Sequence, residues 1–267
     1  MSELPVIGIT IGDAAGIGPE VTLKAIADER VISVCKTLVI GDAELLRRTA
    51  AEFGLSEPTD IHDLSNLPDQ VVPGSSTAAT GKAAGEYIET AVDRWRDGGI
   101  DAICTAPISK HSLALGGYHH VGHTEFLAAL TNTGEFRMSF FADKLRVVLL
   151  STHLPLTRAI EKVTAENLVA LIDFTDRSLT TLLGRRPSIA VAGLNPHASE
   201  GGMFGTEEAD EITPAIKRSS AEGIDVSGPY SPDTIFLRGY RGEFDVVVSL
   251  YHDQATIAVK SLSFGEG

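Results

Sequence analysis

This chain predicts a mainly parallel α/β architecture, and two observations support that reading. Short Val/Ile-rich runs recur along the sequence, and stretches with helical periodicity separate them. Three of the later runs end within a few residues of a histidine: RVVLLSTH (146–153), SIAVAGLNPH (188–197) and FDVVVSLYH (244–252). Open α/β sheets bind ligands beyond the carboxyl ends of their strands, so His153, His197 and His252 are placed to converge on one edge.

In chain order, PVIGIT (5–10) is the first strand and leads to a helix opening near Pro19. TLVIGD (37–42) precedes a helix over Ala43–Phe53. The Pro/Ser/Gly-rich stretch from Val72 to Thr80 reads as a loop, with Thr80 capping the helix that leads to the strand GIDAICTA (99–106). HSLALGGYHH (111–120) is another connection, with a lobe boundary near residue 120. RVVLLS precedes a helix over Ala165–Leu183, SIAVAG precedes Glu207–Glu222, and FDVVVSL closes the series, with ATIAVK (255–260) strand-like beyond it.

Composition excludes several classes of function. At 43% hydrophobic and 22% charged the chain is an ordinary soluble globular protein, and its 267 residues suffice for a substantial core. A formal charge of −14 argues against nucleic-acid binding, which needs basic surface. No apolar run approaches the roughly twenty residues of a membrane span. MSELPVIGIT lacks the pattern of a secretory leader, so a cytoplasmic protein is expected, with Cys35 and Cys104 as buried free thiols.

The candidate sites lie at strand ends. GDAAGIGPE (12–20) follows the first strand; Gly12, Gly16 and Gly18 permit tight turning and, with Asp13, form a candidate cofactor or anion cradle at a helix start. The spacing departs from the dinucleotide fingerprint, so an ordinary Rossmann site is disfavoured and a plain glycine turn is the competing reading. TAPISK (105–110) ends in Lys110, read as a surface lysine. In GHTEF (122–126), His123 or Thr124 caps a helix beginning at Glu125 or contacts a phosphate. Three neutral imidazoles suit a divalent transition metal such as zinc, cobalt, manganese or nickel, or magnesium if carboxylates contribute. Asp233 and Asp253 are candidates for orienting a ligand or moving a proton, and Lys260 for binding an anion or assisting proton transfer. His62, His111, His119 and His120 lack a strand-end setting and read as surface residues.

Taken in order, GDAAGIGPE, TAP-x-x-K, GHTEF, STHLPL, GLNPHASEGG-x-FG-x-EE, GP-x-x-x-DT-x-F and YHDQ resemble the 4-hydroxythreonine-4-phosphate dehydrogenase (PdxA-like) family. The glycine loop is also similar to the GDGIGPE segment of isocitrate and isopropylmalate dehydrogenases. The resemblance implies two α/β/α lobes with a central cleft and a homodimer whose active site is shared between subunits. Residues 1–120 would form the first lobe, completed by 253–267 and a further C-terminal part; residues 121–252 would form the second, with the dimer and metal-site residues. Carried over by position, His153, His197 and His252 are metal ligands, His252 coming from the partner chain, and His123, Thr124 and Lys260 contact substrate.

The implied reaction is NAD-dependent oxidation and decarboxylation of 4-phosphohydroxy-L-threonine at a divalent metal, with Asp253, Lys260 and Asp233 as candidate catalytic residues. Two departures from the family pattern matter. Ala14 stands where the biosynthetic enzymes usually have proline, which looks more like the branch acting on D-threonate or D-erythronate 4-phosphate. The chain also stops at SFGEG (263–267), before the family's substrate-binding asparagine and arginine. A metal-dependent hydrolase or lyase without nicotinamide, and a catalytically silent phosphate-binding regulator, are the readings from other classes.

Overall fold

The computed structural model describes residues 4–120 and 122–262. It divides into two compact units, residues 1–136 and 137–267.

Unit 1 runs β1 (Val6–Thr10), α1 (Gly18–Ile26), α2 (Glu29–Ile32), β2 (Lys36–Gly41), α3 (Ala43–Phe53), β3 (Ile61–Asp63), α4 (Ala78–Arg96), β4 (Ala102–Thr105), α5 (Lys110–Leu115) and α6 (His123–Leu130). Its described strands form a parallel sheet of order β3-β2-β1-β4. The helix limits follow from local chemistry. Asp42 accepts a hydrogen bond from Leu45 N at 2.9 Å to open α3, and Gly54, in the left-handed region, closes it. Thr77, not Thr80, caps α4: its hydroxyl accepts from Thr80 N, and Thr80 Oγ1 accepts from Thr77 N in return.

Unit 2 runs β5 (Ser139–Ala142), β6 (Leu145–Leu149), α7 (Leu156–Ile160), α8 (Ala165–Leu183), β7 (Ile189–Ala192), α9 (Thr213–Ala221), β8 (Val226–Tyr230), α10 (Ile235–Tyr240), β9 (Val246–Ser249) and α11 (His252–Leu262). The sheet order is β5-β6-β9-β7-β8, parallel except for β5. Alternate strand residues face opposite ways. Val148, Ile189, Val191, Val246 and Val248 pack with Leu168, Leu171 and Ile172 of α8 and Ile216 of α9. Val147, Leu149, Ala190, Ala192 and Val247 pack with Ile235 and Phe236 of α10 and Ala255 and Val259 of α11. Helices on both faces explain the near-continuous apolar runs of β6, β7 and β9.

The structure corrects four expectations. The division falls after Phe136 rather than near residue 120, because Phe126 of α6 is buried against Ile88 of α4 and Leu113 of α5. ATIAVK is helical, and within α11 Ala255 and Val259 belong to the unit 2 core, so the described part of 253–267 does not complete unit 1. Cys35 is half-buried and Cys104, on the edge strand β4, is exposed. His120 stacks on Phe126 with ring centroids 4.4 Å apart, and His62 accepts from Arg94 Nε at 3.1 Å.

Candidate active site

In unit 1 the chain passes from β1 to β2 and β3 on one side and reaches β4 on the other, so the carboxyl ends of β1 and β4 flank the point where strand order reverses. A cavity of about 250 Å³ opens there, lined by Asp13, Gly16, Gly74, Ser76, Pro107 and Ser109 among others. The loop after β1 is fixed by backbone contacts. Asp13 N donates to Pro107 O at 3.0 Å, Gly74 N to Ala15 O at 2.7 Å, and the buried Asp13 carboxylate accepts from Ala15 N at 2.9 Å. Gly12 has φ +71°, and a Cβ there would meet Pro107 O at 2.2 Å; a Cβ at Gly18 would meet Ile11 O at 2.0 Å. These two glycines are therefore required by packing, while Asp13 and Gly16 face the cavity.

GHTEF opens α6, but neither His123 nor Thr124 caps it. Gly122 is the cap residue and no side chain bonds the first turn. His123 is the first helical residue, and its buried Nε2 has no partner among the described residues. Burial pushes its imidazole below the ordinary histidine range, so the ring is neutral at pH 7. Thr124 is exposed.

Unit 2 lines up its candidates along one sheet edge. β6, β9, β7 and β8 are consecutive in the sheet and parallel, and His153, His252, His197 and Asp233 follow their respective carboxyl ends. The rings of His153 and His252 lie 5.4 Å apart between centroids and tilted by 46°. His252 Nδ1 contacts Asp253 Oδ1 at 3.0 Å, leaving Nε2 as the ring's other nitrogen. The resemblance draws His252 from a partner chain, whereas here both rings belong to one chain. Among the described residues no three His, Cys, Asp or Glu side chains gather closely enough to hold a metal ion. Asp233 accepts from Ser231 Oγ at 2.6 Å. Lys260 is exposed on α11, eight residues and therefore about 12 Å of helix rise beyond His252.

Side chains tie this edge together, and two of them escaped the sequence reading. Leu150 N donates to Ser249 O at 2.8 Å and Ser151 Oγ to Leu250 O at 2.9 Å, joining the end of β6 to that of β9. Gln254 accepts from Leu250 N at 2.8 Å and donates to Gly193 O at 2.8 Å, joining the end of β9 to that of β7. The buried Glu208 accepts from Leu194 N at 2.8 Å, Asn195 N at 2.7 Å and Asn195 Nδ2 at 2.8 Å. The segment that Glu208 anchors continues into a left-handed run, His197, Ala198, Ser199 and Glu200, all with φ between 46° and 66°. Non-glycine residues in this region cost roughly 1–2 kcal/mol each and persist where their surroundings over-determine them. The only signals available in the sequence were the paired acids of GTEE and the glutamine of YHDQ.

Unit 1 carries a glycine-tight strand-to-helix turn and unit 2 a parallel sheet edge followed by imidazoles and carboxylates, the features of an α/β protein with its polar groups at strand ends. A family model described as "Pyridoxal phosphate biosynthetic protein PdxA" matches residues 33–267, and the chain belongs to that family of dehydrogenases. It is 43% identical over 281 residues to the D-threonate 4-phosphate dehydrogenase of Cupriavidus necator, covering 99% of this chain and 84% of the relative. It is 42% identical to the 4-hydroxythreonine-4-phosphate dehydrogenase of Desulforapulum autotrophicum, covering 98% and 83%. A crystal structure of a 4-hydroxythreonine-4-phosphate dehydrogenase from Burkholderia phymatum superposes with a TM-score of 0.90 at 41% identity, covering all of this chain and 86% of that one. No described helix is long and apolar enough to cross a membrane.

Proposed function

We propose that this protein is a cytoplasmic, homodimeric dehydrogenase that oxidises and decarboxylates 4-phosphohydroxy-L-threonine, with NAD and a divalent metal, zinc first among candidates. The observation that carries the reading is the alignment of His153, His252, His197 and Asp233 beyond four adjacent parallel strands. The isocitrate/isopropylmalate dehydrogenase-type two-lobe architecture and a site shared between subunits belong to the same proposal.

The donor set for a metal is in place in part: His153 and His252 are paired, and His197 would have to join them, since no three donors gather among the described residues. Two imidazoles face each other, and Asp253 beside His252 Nδ1 is the carboxylate–histidine arrangement that orients a ring and leaves Nε2 to coordinate. His153, His252 and His197 would hold the ion, which supplies a lowered pKa for the substrate hydroxyl and charge stabilisation when carbon dioxide leaves. NAD would supply a hydride acceptor when bound. The cavity beside Asp13 and Gly16 is the candidate cofactor cradle. Asp253, with Lys260 as the other candidate, takes the hydroxyl proton, and Asp233 orients the substrate. His123, Thr124 and Lys260 bind the phosphate, and holding that remote group fixes the reacting carbon.

Ala14 favours a second reading, the same chemistry on D-threonate 4-phosphate, and the name of the Cupriavidus relative supports it. Both phosphorylated acids, assayed with NAD with and without added divalent metal, test these readings. We expect metal-dependent NADH formation from at least one acid, with turnover and metal retention both lost in His153→Ala. Product formed without NADH would place the protein among metal-dependent hydrolases or lyases instead. Full activity in His153→Ala would remove the metal assignment.

A further inference from the structure

Lys110 closes the TAPISK motif and has no part in the chemistry above. It is exposed as the first residue of α5, and its side chain makes no hydrogen bond or ion pair among the described residues. Its side chain nevertheless has a definite position. A Cβ placed on Gly122 would lie 3.9 Å from Lys110 Cε and 3.6 Å from Glu125 Oε2. The last carbon before the ammonium thus lies against Gly122, the residue that caps α6, whose first turn no side chain caps and whose first two residues are His123 and Thr124.

Around Gly122, His123 and Thr124 are neutral donors and Glu125 is a carboxylate. The unpartnered His123 Nε2 belongs to a ring that burial keeps neutral, and Thr124 offers a hydroxyl. A phosphate monoester carries about −1.5 to −2 charge at pH 7, and a chain of net charge −14 must meet it with a locally placed cation.

We propose that Lys110 is a substrate-binding residue for the phosphate group held by His123 and Thr124, supplying the positive charge of that subsite within unit 1. The inference rests on the phosphorylated-acid reading above. The competing role for Lys110 is purely local, neutralising Glu125.

The test compares each phosphorylated acid with its dephosphorylated counterpart, using wild type, Lys110→Met, Lys110→Arg and Glu125→Gln. Because Lys110 is exposed, the variants are expected to keep the wild-type melting temperature. Lys110→Met is expected to raise KM for the phosphorylated acid about 10- to 100-fold, the range for a lost charge-assisted contact, with kcat changed little. Its kcat/KM on the dephosphorylated acid should stay at the wild-type value, and the inhibition of wild type by inorganic phosphate should weaken in parallel. Lys110→Arg should recover much of the loss, and Glu125→Gln should leave KM unchanged. Equal losses on both acids, or a Glu125→Gln defect matching that of Lys110→Met, would overturn the assignment while leaving the proposed function standing. A wild type that does not prefer the phosphorylated acid would instead overturn the substrate class, and Lys110's role with it.

Discussion

In unit 1 the turns beyond β1 and β4 are held backbone to backbone: Asp13 N bonds Pro107 O, Gly74 N bonds Ala15 O, and Gly12 and Gly18 lie against carbonyl oxygens. In unit 2 the corresponding edge adds side chains to backbone bonds such as Leu150 N to Ser249 O: Gln254 spans β9 and β7, Ser151 joins β6 to β9, and Glu208 gathers three N–H donors. An edge closed on its own backbone presents small residues and amides, which suits close approach by a ligand. An edge braced by carboxylate and amide side chains can instead hold loops that carry imidazoles in set positions. The same parallel sheet edge thus serves two purposes, and substitutions at the two edges should fail differently.

The largest effect is expected from Gly12→Ala. The residue sits at φ +71° with a backbone oxygen 2.2 Å from the added carbon, so the β1 and β4 loops must separate. A loss of about 3 kcal/mol or more is expected, from left-handed strain plus displaced backbone. Denaturant unfolding should report it, and hydrogen exchange should place the lost protection in unit 1. A variant as stable as wild type would mean that the unit 1 edge is not closed by its backbone.

Glu208→Ala tests the other edge. It leaves the N–H groups of Leu194 and Asn195 without their acceptor, at a cost of about 2–3 kcal/mol. It also frees the segment carrying His197, so affinity for added zinc or cobalt should fall, as measured by competition with a chelator. Glu208→Gln keeps one acceptor oxygen and should fall between. Stability lost without any change in metal affinity would separate the bracing of this edge from the proposed site.

The contrast also explains what the sequence revealed. The limits of α3 and α8 were legible to the residue because side-chain caps and left-handed glycines mark them: Asp42 and Gly54, Thr164 and Gly184. The central strands were legible because burial on both faces leaves them uniformly apolar. The β5 strand (SFFA) and β8 (VSGPY) were not, being short edge strands, one interrupted by glycine and proline. In α11 the β-branched run of ATIAVK outweighed a helical spacing, Ala255 to Val259, that only the sheet beneath makes decisive. Of the site, the histidines at strand ends could be read, since position along a parallel strand fixes the edge. Glu208 could not, because its backbone partners lie 13 or 14 residues away, and neither could the link from Gln254 to Gly193, which spans 61 residues.

The smallest effect concerns the opposite edge of the unit 2 sheet, where a carboxylate again does the bracing. Asp245, just before β9, accepts from both terminal nitrogens of Arg185 and from Ser188 N at 2.9 Å. The Arg185 guanidinium foremost, with Ser188, holds its carboxyl well below the usual carboxylate range. A depressed folded-state pKa contributes stability that is fully present above the unfolded value of about 3.9 and is lost as pH falls below it. Asp245→Asn should therefore cost about 1–2 kcal/mol at pH 7, limited by the exposure of Arg185, and urea midpoints of variant and wild type should converge as pH drops below 4. Because this brace lies at the amino edge of the strands, zinc affinity at pH 7 should be unchanged. An affinity loss like that of Glu208→Ala would mean that general softening of unit 2, rather than the local bracing of one edge, governs how the histidines are held.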